Sequence, residues 1–248
     1  MSPILSVRGL AKHFGGVAAV QGVDLDLPAG LITALVGPNG AGKTTLFNLI
    51  TGAVEADTGR VMLAGKELAR RTPARMARLG VARSFQDLRL FQSMSVQANV
   101  LTAIEPHAWF WQPGGRRARA RRLQATEMAL AETGLSALTD ALAAELAYAE
   151  RKFLSLARIL ATGAQIWLLD EPASGLDPAS RARFSTLLRK HAAQGVAICL
   201  VEHNLDIVSA LADRIVFLDQ GRKLAEGEPQ AILRDPALAA IYFGERRA

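Results

Sequence analysis

The stretch Gly37-Pro38-Asn39-Gly40-Ala41-Gly42-Lys43-Thr44-Thr45 decides how the rest of the chain is read. Its glycines let backbone N–H groups close on a bound group with no Cβ in the way, so the segment reads as a nest for anionic oxygens. Immediately downstream, Leu46, Phe47, Leu49 and Ile50 are spaced as the buried face of a helix that ends at Gly52. A helix starting near Lys43 aims its positive end at the same anion. The spacing G-x-x-x-x-G-K-[ST] suits a triphosphate: Lys43 reaches the β- and γ-phosphates, and the Thr44 hydroxyl can hold Mg²⁺. An apolar strand candidate at 31–36 precedes the loop, giving the strand–loop–helix order that this chemistry requires.

Far downstream, Ile166-Trp167-Leu168-Leu169-Asp170-Glu171 is an apolar run ending in two acids, followed by Pro172. A carboxylate at the C-terminal end of a parallel strand lies where ligands of open α/β sheets collect. Asp170 is the natural partner of Mg²⁺, directly or through water. Glu171 can polarise an attacking water as general base. Alone, such acids would suit any strand terminus. Joined to the phosphate loop, they read as a centre expected to bind and hydrolyse a nucleoside triphosphate with Mg²⁺.

Around these two motifs the chain alternates. Strand-like pieces at 4–10, 23–27 and 31–36 are punctuated by Gly15-Gly16 and Pro28-Ala29-Gly30, and the turn Asp57-Thr58-Gly59 leads into another strand at 60–64. Residues 87–160 are rich in Ala, Leu, Arg and Glu and read as several helices. Pro113-Gly114-Gly115 interrupts them after Trp109-Phe110-Trp111, a cluster read as a packing anchor. Strand-like runs return at 166–169, 196–201 and 215–218. This is the pattern of a parallel sheet flanked by helices and interrupted by a helical insert. The expected organisation is one domain over 4–248, with its core in about 1–86 and 161–230, the insert in about 87–160, and a C-terminal extension over about 231–248.

No run approaches the roughly 20 apolar residues of a spanning helix. Met1–Leu10 lacks the apolar core of a secretion signal, so the chain is expected to stay where it is made. The one cysteine, Cys199, lies inside the apolar run at 196–201 and reads as a small buried hydrophobe. A net charge of +6 suits an acidic partner, and part of the excess sits in Arg116–Arg122 (RRARARR). That run reads as a solvated helix face, with lipid headgroups as the alternative contact.

Three further segments follow in fixed order with the two motifs: Ser84-Phe85-Gln86, Ser174-Gly175-Leu176-Asp177 and Val201-Glu202-His203. That order resembles the ATP-binding cassette (ABC) family, and the resemblance runs from Ile4 to the C-terminal IYFGE. It implies an α/β P-loop NTPase, an ABC-type nucleotide-binding domain with an N-terminal antiparallel β subdomain and a helical insert. By the same resemblance Gln86 belongs to a Q-loop between the metal site and a membrane subunit. Residues 174–177 form a D-loop at the contact between paired cassettes, and His203 contacts the γ-phosphate. Phe14 takes the place of the aromatic that stacks on adenine, although singly it would read as an ordinary core residue.

Within the family, FGG near the start, ARSFQDLRLF around Gln86, VEHNLDIV, DRIVFLDQGRKLAEGEP and DPALAAIYFGE look most like the ATPases of high-affinity branched-chain amino-acid import. Cassettes for urea or short amides are similar, as are some that export lipid-linked envelope components. The resemblance implies integral permease subunits and a second ABC ATPase, either a related chain or another copy, with an extracytoplasmic solute-binding protein as an indirect partner. It implies no nucleic acid, and a peripheral place on the cytoplasmic face of the membrane. Soluble ribosome-associated relatives usually carry two cassettes, whereas one phosphate loop is present here. Glu171 argues against a scaffold that does not hydrolyse.

One segment departs from the family pattern. Where L-S-G-G-Q or L-S-Y-G-E-Q-R is usual, this chain has Leu146-Ala147-Tyr148-Ala149-Glu150-Arg151. Ala147 lacks the hydroxyl that would meet the partner's γ-phosphate, and the Cβ of Ala149 can crowd that phosphate or forbid a positive φ, the alternative being that small backbone shifts accommodate it. Loss of one such donor can cost roughly 10²–10³ in rate. The expectation is an asymmetric pair of sites: the pocket of Lys43, Gln86, Asp170, Glu171 and His203 stays intact, and the one completed by Ala147–Glu150 is slow.

Overall fold

The computed structural model describes residues 3–105 and 115–244. The aromatic cluster Trp109-Phe110-Trp111 lies outside the described residues.

The chain opens with a long hairpin, β1 (Pro3–Phe14) and β2 (Val17–Pro28), then β3 (Ile32–Val36) and α1 (Lys43–Thr51). Gly52 stops α1 in the left-handed conformation, its N–H turned back to the carbonyls of Asn48 and Leu49. Next come β4 (Thr58–Leu63), β5 (Lys66–Glu67), α2 (Pro73–Arg78) and β6 (Val81–Arg83). Three helices follow, α3 (Val96–Ile104), α4 (Arg116–Glu132) and α5 (Tyr148–Ala161), with α3 and α4 packed on α5 and on each other. Strands and helices then alternate through β7 (Ile166–Asp170), α6 (Pro178–Ala193), β8 (Ala197–Val201), α7 (Leu205–Leu211) and β9 (Arg214–Asp219). The chain closes with β10 (Arg222–Gly227), α8 (Pro229–Arg234) and α9 (Pro236–Gly244).

Two sheets result. One is antiparallel, in the order β2-β1-β4-β5; the other runs β10-β9-β3-β8-β7-β6 and is parallel except at the β10 edge. The α/β class and the N-terminal antiparallel sheet expected from sequence are both present. Every residue of β3, β7 and β8 is buried, which is why these strands read as unbroken apolar runs rather than alternating ones. Their alternate side chains feed two cores. Leu35, Leu168, Cys199 and Val201 face α1 and the antiparallel sheet, whereas Val36, Trp167, Leu169 and Leu200 face the helices of the other side. Cys199 is a free, fully buried thiol, its pKa pushed up to about 12 by that burial. On α4, Arg116, Arg117, Arg119 and Arg121 are exposed, as a solvated helix face requires.

The sequence did not reveal β5, β6, α2 or β10. The first two are only two and three residues long. β10 reads RKLAEG, alternating exposed and half-buried at an edge, where charge keeps the strand from pairing with other chains. Leu200 sits at the centre of the two-sided sheet with no exposure. Leu200→Ala is therefore expected to lower unfolding free energy by about 2–5 kcal/mol, read from denaturant midpoints. Leu224→Ala, on the half-exposed edge strand, should stay within about 1 kcal/mol of the parent.

Candidate functional site

The glycine loop leaves the carboxyl end of β3 and turns into α1. Gly37 lies so close beneath the Leu218 carbonyl that any Cβ would overlap it. Gly42, the residue before α1, has φ +96° and is pressed in the same way against the carbonyl of Ala19. Both positions exclude a side chain by backbone contact. The loop is buttressed from behind: Gly221 N–H donates to the Ala41 carbonyl at 3.1 Å, and Gln21 N–H donates to the Gly221 carbonyl at 2.8 Å. Lys43 Nζ donates to the carbonyls of Gly37 and Pro38, each at 2.7 Å, folding its ammonium over the loop. No side chain caps the start of α1 and no acid lies in its first turn, so its positive end opens on the loop's concave side.

In front of the loop lies a cleft of about 600 Å³. Asn39, Gly40, Ala41, Gly42, Lys43, Thr44 and Thr45 form its floor, with Gln86, Glu171 and Val201 at one end. Val17, Ala18, Ala19, Gln21 and Gln220 complete the lining, and none of these five was picked out from sequence. Phe14 is not among the lining residues. It pairs with Val17 at the hairpin tip, half exposed, with the Lys12 ammonium 5.7 Å from its ring centre.

The acids gather at the Glu171 end. Thr44 Oγ1 donates to Asp170 Oδ2 at 3.3 Å, and the Asp170 amide donates to Ser84 Oγ at 2.9 Å. Burial pushes the Asp170 carboxyl above its ordinary pKa, while Arg83 and the Thr44 hydroxyl pull it down. Glu171 has φ +45°, a conformation that costs a non-glycine residue roughly 1–3 kcal/mol. Two carboxylate contacts bring in distant segments: Gln86 Nε2 donates to Oε2 at 3.5 Å, and His203 Nδ1 lies 3.5 Å from Oε1. Sequence-distant Gln86, Glu171 and His203 thus meet at one point, beside Thr44 and Asp170.

Behind them lies a layer that sequence reasoning missed. Lys152, on the buried face of α5, donates from Nζ to the Glu171 carbonyl at 2.8 Å. Burial lowers its pKa; the carboxylates of Glu202, Glu171 and Asp170 act in the opposite sense. Glu202 is fully buried, accepting from the Ala173 amide through Oε1 at 3.1 Å while Oε2 has no partner among the described residues. Burial raises its pKa. The available signal was a lysine within the apolar periodicity of a helix, which is rare without a partner.

The D-loop and signature candidates touch each other rather than the cleft. Tyr148 donates its hydroxyl to the Ser174 carbonyl at 3.2 Å, Leu176 is buried, and Asp177 caps α6 by accepting from the amides of Ala179 and Ser180. Leu146 is buried just before α5, and Glu150 reaches back to accept from the Ala147 amide at 2.7 Å. One expectation needs correction. Ala149 lies within the first turn of α5 and is not among the positive-φ residues, so its Cβ meets no backbone prohibition. A helix tolerates alanine better than the usual glycine here.

Comparison with known proteins agrees with this geometry. The high-affinity branched-chain amino acid transport ATP-binding protein BraF of Pseudomonas aeruginosa is 36% identical over 251 residues, covering 98% of each chain. Its counterpart LivG of Escherichia coli K12 is 38% identical over 253 residues at the same coverage. Among solved structures, the ADP conformation of an ATP-binding cassette of an ABC transporter matches with a TM-score of 0.87 and 30% identity, covering 98% of this chain and all of the other. A nucleotide-free cassette from an ABC transporter matches with a TM-score of 0.86, also at 30% identity, covering 96% of this chain and 98% of the other. A sequence profile described as ABC transporter spans residues 20–174. The chain belongs to the ABC transporter family, as an ATP-binding ATPase subunit.

Proposed function

We propose that this chain hydrolyses ATP to energise an importer of branched-chain amino acids. The observation that carries the catalytic part is the convergence of Thr44, Gln86, Asp170, Glu171 and His203 at one end of the glycine-floored cleft. The choice of cargo rests on the relatives, which are named for high-affinity branched-chain amino acid transport over nearly their full length.

The triphosphate would lie along residues 37–45, with Lys43 turning from the Gly37 and Pro38 carbonyls to the phosphate oxygens. Phe14, at the hairpin tip, would stack on adenine. The Thr44 hydroxyl, the Asp170 carboxylate and the Gln86 side-chain oxygen are hard donors that suit Mg²⁺, which takes one or two carboxylates together with phosphate oxygens and water. An ion held by these groups would supply neutralisation of the charge that develops on the phosphates. Glu171 takes the proton of the attacking water, with Gln86 and His203 holding its two carboxylate oxygens from separate loops. The ring of His203, half exposed, is free to face the γ-phosphate when the site closes.

The chain would sit peripherally on the cytoplasmic face, bound to integral permease subunits and paired with a second cassette, while an extracytoplasmic solute-binding protein delivers cargo. A groove of about 290 Å³ lies beside the loop that carries Gln86, lined by Met76, Phe85, Leu88, Ala103 and Ile159 with Arg83, Arg89 and Arg158. Its apolar lining would suit a permease segment, and motion there would reach Gln86 through its neighbour Phe85. In the cassette pair, residues 146–150 would complete the partner's site and 174–177 would line the contact. Lacking the Ala147 hydroxyl, that completed site would be the slower one.

Lys43→Ala is expected to remove ATP turnover and weaken Mg-ATP binding. Glu171→Gln should keep binding while lowering turnover by about 10²–10³, measured by phosphate release from the transporter in proteoliposomes. Stimulation by leucine, isoleucine or valine with their binding protein is expected, and stimulation by urea alone would overturn the cargo assignment. Ala147→Ser, which returns the hydroxyl, should raise turnover of the assembled pair, and unchanged turnover would remove the slow site; Ala149→Gly should cost about 1 kcal/mol in stability, because the position is helical.

A further inference from the structure

Glu171 is held at a positive φ by its neighbours, and the holding is two-sided. Its amide donates to the Val201 carbonyl of β8 at 2.9 Å, and its carbonyl accepts from Lys152 Nζ at 2.8 Å. Four residues earlier on α5, Tyr148 donates its hydroxyl to the Ser174 carbonyl at 3.2 Å. Residues four apart on a helix project from one face, so Tyr148 and Lys152 reach the same segment side by side. The Lys152 ammonium also lies 5.7 Å from the centre of the Tyr148 ring. Gly175, at φ +74°, leaves room for that ring: a Cβ there would come within 2.8 Å of Tyr148 Cε1.

We propose that Tyr148 and Lys152 form a clamp by which α5 fixes the peptide segment 171–174, and with it the direction in which the Glu171 carboxylate points. Both are positioning residues, acting through Glu171 rather than on the nucleotide. The clamp rests on the reading of Glu171 as general base and adds to it a mechanical link. Tyr148 belongs to the segment that would complete the partner's ATP site, while the peptide it grips carries this chain's own base. Displacement of the start of α5 by the partner's nucleotide would therefore move Glu171. Burying an ammonium is costly without a specific contact, and the contact made here is to the backbone carbonyl of Glu171, a site residue held at positive φ.

The test compares Lys152→Met, Lys152→Arg, Tyr148→Phe and Glu171→Gln, singly and with Lys152→Met added to Glu171→Gln, in the chain co-purified with its membrane subunits. For Lys152→Met, kcat for Mg-ATP hydrolysis should fall about 10- to 100-fold, as expected for a misplaced catalytic group. Its KM and Mg-ATP affinity should stay within about twofold, and Lys152→Arg should recover most of the rate. Tyr148→Phe, which removes only an oxygen, should give a smaller kcat loss of about threefold; it also serves if Lys152→Met fails to fold. The double variant should be no slower than Glu171→Gln alone, because both changes act through one carboxylate. Parental kcat in Lys152→Met, or in Tyr148→Phe where Lys152→Met does not fold, overturns the clamp. So does a loss that multiplies with Glu171→Gln. Parental turnover by Glu171→Gln instead overturns the assignment of the base.

Discussion

Backbone pressed against backbone around the glycine loop is the constraint on which the rest of the molecule depends. Gly37 fits only because nothing separates it from the Leu218 carbonyl, and Gly42 only because nothing separates it from that of Ala19. Those two contacts join the end of β3 to β9 and to the long hairpin, so the loop is shaped by three separate parts of the chain. Such rigidity suits its task. Amides that must converge on a highly charged tail act best when they are already in place, since no reorganisation is then needed on binding.

From that loop the architecture follows as a division of labour across one sheet. Strands buried on both faces supply stability, and their side chains are apolar but for Thr33 and, at the end of β7, Asp170. At their carboxyl ends the chain emerges with Asp170, Glu171 and His203, where the sheet no longer excludes water. The helical segment then brings Lys152 and Tyr148 back against those ends. A charged group buried under the site is tolerable because it answers a carbonyl that the strained turn at Glu171 leaves facing inward.

Much of this was legible in the sequence because the physics is local there. The glycine spacing fixes the loop, and runs such as 166–169 and 197–201 are apolar throughout because helices or sheet cover both faces. What stayed hidden depends on distant neighbours. β10, RKLAEG at a sheet edge, shows no apolar alternation in its sequence and resembles a loop, while β6 is too short to show a period. Lys152 and Glu202 look like solvent-facing charges until the fold buries them. The helical backbone of Ala149 was hidden for a different cause: the departure from the family pattern does not show that α5 has already begun at Tyr148. Phe14 lies beside the cleft wall rather than in it, so its proposed stacking partner is reached at the rim.

The C-terminal helix α9 ends next to the centre it follows by more than thirty positions. Tyr242 donates its hydroxyl to the carbonyl of His203 and sets its ring edge-on to Phe217, 6.4 Å between centres. The peptide that carries the histidine is thus tied to the last described helix, and a rotation there would be carried outward along it.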